Sequence, residues 1–185
     1  VTLYYLRRFL NFFDELFKDS TVKKVAISTE LAKFFKQVVT TFDNNQQLLT
    51  GSINDSNRKS ILDALGQAAS DYRTQIYKHS FSGKKKSVSI KKLQKFVTLT
   101  LQFLDHSIDA NKKKDNLYHA YNLMTVENKQ EISISYLSEM LEGQVAVLSS
   151  GYLSSKEALS VLDALKNSKL FRKDQYSYIL YPNKD

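Results

Sequence analysis

His79, His106 and His119 are the side chains of this chain best suited to proton transfer near neutral pH or to metal ligation. At 100° per residue, His79 falls on the apolar side at the end of a helical pattern, where an imidazolium would meet the negative end of a helix dipole. His106 lies off the main apolar stripe of the next pattern, and His119 lies on the polar side of the one after. His106 and His119, with Asp105, Asp109 and Asp115, converge only if the NKKKDN turn (111–116) brings them together. Zinc needs three protein ligands at defined spacing, and neither HExxH nor an EF-hand loop occurs. The expectation is surface or capping histidines, with no catalytic residue, cofactor or metal ligand assigned.

SGKKKS (82–87) contains Gly83-Lys84 but lacks the first glycine and the spacing of a phosphate loop, and it follows no convincing strand. No GxSxG singles out a nucleophilic serine. Lys84, Lys85, Lys86, Lys91, Lys92 and Lys95, together with Lys112, Lys113 and Lys114, are the candidate anion contacts. They flank the two ends of one predicted helix, which spans about 30 Å at 1.5 Å per residue. One continuous basic patch therefore needs help from other helices. Lysine without arginine suits point-charge contact rather than bidentate recognition. There are eleven Phe, eleven Tyr and no Trp. Most phenylalanines fall on apolar stripes and belong to a core. Tyr152, Tyr176, Tyr178 and Tyr181 are candidates for an exposed platform, and Tyr176, Tyr178 and Tyr181 form the predicted interaction surface.

The elements that must position these groups read almost entirely as helix. In LYYLRRFLNFFDELFK (3–18), nine apolar positions cover half of the cylinder, and Tyr4 falls among the polar residues of the other half. That apolar face needs a partner. Ser28 or Thr29 caps a second helix, and DNNQQ ends or interrupts it. After the GSINDSN loop (51–57), Asp55 or Ser56 caps a third, with Ile61, Leu65, Ala68, Tyr72 and Ile76 on one face. SFSGKKKS (80–87) reads as the most flexible stretch. A fourth helix from Ser89 to about Ala110 carries apolar stripes on two sides, which predicts a central position. LYHAYNLM (117–124) reads as a shorter helix. EISIS (131–135) alternates as a brief strand would, or leads into the helix YLSEMLEGQVAVL (136–148). Ser154 and Glu157 have the spacing of a capping box for a last helix. The tail RKDQYSYILYPN (172–183) is strand-like; it lies across the helices or pairs with chain beyond this sequence.

Composition bounds the rest. Five glycines and one proline among 185 residues favour long helices over a many-stranded sheet. With no cysteine, a disulfide framework, a thiolate metal site and a Cys nucleophile are excluded. No apolar run approaches the length of a membrane span. The net charge of +8 is uneven: residues 1–100 hold 17 Lys/Arg against 8 Asp/Glu, and residues 101–185 hold 10 against 11. The compartment stays open, with the cytoplasm favoured. The chain starts at Val1 inside an amphipathic pattern, which predicts a fragment of something longer.

LYHAYNLM, then EMLEGQVAVLSSGYLSSKEALSVLDALKNSKLFRKDQYSYILYPN, resembles an internal stretch of very long bacterial proteins, most clearly over residues 117–183. The resemblance implies a segment of a large multidomain protein and carries no activity, cofactor or site residue with it.

These observations predict an all-α, single domain over 1–185, a bundle of about six to seven helices with a short extended C-terminal segment. A subdivision into a basic half, 1–111, and a near-neutral half, 112–185, is the alternative. The expected function is a noncatalytic scaffold or protein-interaction module whose partners are neighbouring domains or another protein, without a cofactor or a membrane. Binding of nucleic acid or another polyanion through the lysine-rich half is the alternative, and an accessory role within a multidomain enzyme is another.

Overall fold

Val25 and Ile27 alternate with Lys24, Ala26 and Ser28, and the period of two makes this stretch a strand rather than a lead-in to helix. The computed structural model describes residues 1–182; Asn183, the end of the tail run, and Lys184 and Asp185, the end of the predicted domain, lie outside the described residues. In chain order come α1 (Thr2–Lys18), β1 (Lys24–Ser28), α2 (Thr29–Asn45), a 3₁₀ turn (Gln46–Thr50) and α3 (Asp55–His79). Next are β2 (Lys85–Ser89), α4 (Ile90–Ala110), β3 (Asn122–Val126) and β4 (Ile132–Tyr136). The last elements are α5 (Leu141–Ser149), α6 (Ser155–Lys166), β5 (Phe171–Arg172) and β6 (Ser177–Tyr178). Among the described residues the chain is thus mostly helical, with six α-helices and three two-stranded antiparallel sheets. It is α+β, which corrects the all-α expectation.

Each departure has a physical cause. The stretch expected to be most flexible, 80–87, runs into β2, which pairs with β1 from Lys24↔Ser89 to Ser28↔Lys85. That ladder joins segments far apart in sequence, so no local pattern announces it. LYHAYNLM is not helical: Tyr118 forms a bridge with Lys112, and β3 begins at Asn122. The alternation in EISIS does mark a strand, β4, and the helix after it is delayed to Leu141. DNNQQ ends α2 in the 3₁₀ turn.

The described residues cluster into two compact units. Of the described residues, the first comprises Val1–Leu10, Phe103–Thr125 and 133–182; the second comprises Asn11–Gln102 and Val126–Ile132. α1 and α4 each contribute to both, so the units interleave along the chain.

In the first unit, Tyr4, Ile108, Tyr118, Ala146, Val147 and Val161 form the core. Tyr4 retains 2% of its surface and donates its hydroxyl hydrogen to the His119 carbonyl at 3.2 Å. Arg7 holds Asp105 at 2.5 Å and donates to the Ser150 carbonyl at 3.1 Å. α1 therefore turns inward on Tyr4 and Arg7, residues of its polar half. Tyr5, Phe9, Phe12 and Leu16, from the apolar half, stay exposed. Gly143 of α5 sits against the non-helical 117–120 segment; an added Cβ would lie 2.8 Å from that of Ala120.

The tail finds its partner within the chain. β6 pairs with β5, Ile179 N–H donates to the Leu170 carbonyl at 2.9 Å, and the Leu180 carbonyl accepts from Leu141 N–H at 3.0 Å. In the second unit α2 packs along α3, with Phe34 stacked on Tyr72 at 5.2 Å, and Phe35 meets Phe96 of α4 edge-on at 5.2 Å.

Candidate anion-binding cleft

α2 opens at Ser28, whose hydroxyl accepts from Leu31 N–H at 3.1 Å. From there Ala32, Phe35 and Val39 follow on one face of α2 and Lys33 and Lys36 beside them. β2 delivers Lys86 and Val88 to the same side of its strand, since alternate residues share a face. α4 starts one residue after β2 ends, and Ser89 accepts from Lys92 N–H at 3.3 Å. These three elements enclose a cleft of about 420 Å³ within the second unit. Its floor is apolar: Ala32 and Val88 are buried, and Phe35 and Val39 are half-buried.

Its rim is cationic. Lys33 and Lys36 come from α2, Lys86 from β2, and Lys92 and Lys95 from α4; all five are exposed. The lining contains no carboxylate and no imidazole. Lys95 approaches Asp43 at 3.3 Å, an exposed pair of small energetic value. Lys33, Lys36, Lys86 and Lys92 have no acidic partner among the described residues. Five ammonium groups around an apolar floor give a positive potential focused on a low-dielectric wall, the arrangement that attracts anions.

The nine lysines expected to contact anions thus divide. Lys86, Lys92 and Lys95 line the cleft, whereas Lys84, Lys85 and Lys91 are exposed outside it. Lys84 contributes its carbonyl, which accepts from Thr29 N–H and Oγ1 at 3.0 and 3.1 Å. Lys112, Lys113 and Lys114 belong to the other unit. Burial there opposes the charge of Lys113, but Glu139 at 2.5 Å and Asp115 at 2.9 Å outweigh it and raise its pKa. Lys33 and Lys36 escaped the sequence criterion because they stand singly in an ordinary helix. The signal that could have found them is their i, i+3 spacing beside the Ala32, Phe35, Val39 stripe.

Among the predicted contact tyrosines, Tyr176 is 75% exposed with a left-handed backbone, φ 49°. Its hydroxyl accepts from Lys166 at 2.7 Å, which lowers its pKa. Tyr178 lies on Phe171 at 5.1 Å and is 40% exposed, and Tyr181 is also exposed. Tyr152 is half-buried beneath the Arg7 guanidinium, 5.1 Å from its ring centre.

His79 lines a different cleft of about 600 Å³ between α2 and α3, with Glu30, Lys33 and Asp71. Its charges are of both signs. Glu30 is held below the usual carboxylate range by hydrogen bonds from Ser82, including its N–H at 3.0 Å. His119 stacks on Tyr136 at 3.9 Å; burial and then the Lys113 charge lower its pKa against Asp115 and Glu139. His106 stands half-buried on α4. No group of three or more His, Asp or Glu among the described residues is placed to hold a metal ion, and no helix among them is long and apolar enough to cross a membrane. No protein-family model matches this chain, and no curated protein matches it either.

Proposed function

We propose that this chain is a noncatalytic interaction module that takes an anionic partner on the lysine-rimmed cleft formed by α2, β2 and the start of α4. One observation carries it: five lysines from three elements surround an apolar floor with no carboxylate among the lining residues. Four of the five have no acidic partner among the described residues, so their charges cost self-repulsion in the free protein, and a polyanion relieves that cost on binding. The lining supplies charge and apolar surface, and no imidazole or carboxylate stands in it for acid–base work.

Retention on immobilised heparin against a salt gradient tests this reading. Lys33→Glu/Lys86→Glu/Lys92→Glu leaves the circular dichroism spectrum unchanged and elutes at clearly lower salt than the parent chain, because binding through ion release falls steeply with salt. Coincident elution of parent and variant at low salt overturns the proposal.

A further inference from the structure

Resting on that reading, we infer that the occupant of the cleft is an acidic amphipathic helical segment of a protein, laid along α2 with its apolar side chains on the floor. Ala32, Phe35 and Val39 are spaced i, i+3, i+7 and form a strip about 10 Å long, or two helical turns. A helix in a groove is anchored at the same spacing. Lysines stand on both banks of that strip: Lys33 and Lys36 on the α2 side, Lys86, Lys92 and Lys95 on the β2 and α4 side. This pattern is the complement of a helix whose apolar stripe is bordered on each side by Asp or Glu.

Nucleic acid fits the cleft less well. Single strands are held by stacking on open aromatic faces as well as by charge. The one ring in the lining is Phe35, which is half-buried and engaged edge-on by Phe96. No arginine lines the cleft to grip a phosphate in bidentate fashion. An apolar floor between the charged banks serves aliphatic side chains; a sugar–phosphate backbone has no use for it.

Fluorescence anisotropy with the full chain provides the test. One probe is a labelled peptide of about twelve residues with Leu at i, i+3 and i+7 and Glu on both flanks. The second has the same composition with its leucines dispersed round the helix, and the third is a single-stranded oligonucleotide of about twenty nucleotides. The ordered peptide binds at least about tenfold tighter than the dispersed one. Lys36→Glu/Lys92→Glu weakens it by about tenfold or more. Val39→Ser weakens it several-fold. Equal binding of the two peptides, or an oligonucleotide that binds tighter than the ordered peptide and ignores Val39→Ser, overturns the inference and leaves an anionic partner standing. Absence of binding by all three probes together with coincident low-salt elution of parent and triple variant from heparin overturns both. Because the two peptides meet the same protein, their comparison does not depend on any variant folding.

Discussion

Gln144 exposes none of its surface, yet its side chain is fully employed. Its carbonyl accepts from Tyr118 N–H at 2.9 Å, and its amide donates to the Tyr118 and Met140 carbonyls at 2.8 and 3.1 Å. It gives an extended residue the pairing that a neighbouring strand would supply, and this is why 117–120 need not coil into a helix. Gln144→Leu keeps the volume but strands those backbone groups away from water, so it lowers unfolding free energy by about 3 kcal/mol in urea denaturation. His119 makes a second prediction at this scale. Its folded pKa lies below the ordinary 6.5, through burial first and Lys113 second. The unfolded chain therefore takes up the proton more readily. The stability this provides is complete above about pH 6.5 and is lost as pH falls through the folded value. Denaturation midpoints of the parent chain decline as the pH falls below about 6.5, and His119→Phe, which retains a ring against Tyr136, flattens that decline.

Among the elements, α3 shows how near a sequence pattern comes to a cap. Asp55 or Ser56 was the expected N-cap, but Asn54 performs the role: its side chain accepts from Asn57 N–H at 2.8 Å, and Asp55 is the first helical residue. Asn54→Ala therefore costs about 1 kcal/mol, whereas Ser56→Ala changes stability by no more than a few tenths, as read from chemical denaturation. Caps at Ser28 and Ser154 were legible because each engages a residue three positions on. The orientation of α1 was not. Its greasiest stripe predicted a buried face, but Tyr4 and Arg7 bind His119, Asp105 and Ser150, partners more than ninety positions away. Two specific hydrogen-bonding anchors decided the rotation of that helix, and periodicity is blind to them.

For the whole molecule, the helical content and the basic bias of the N-terminal half follow from the order of residues alone. Apolar stripes, caps and net charge depend on side chains within a few positions of each other, or on none. Three of the nine lysines chosen from their clustering line the cleft, and the clustering could not distinguish them from the six that do not. What the tertiary structure decided is everything that needs a distant partner. Ser28 meets Lys85 across the β1–β2 ladder, and Thr29 reaches Lys84, 55 positions away. That closure sets β2 beside α2 and so joins Lys33 and Lys36 to Lys86, Lys92 and Lys95 around one apolar floor. Strand pairing of this kind is selected by the combined burial and hydrogen bonding of two remote segments, and neither segment encodes its partner by itself.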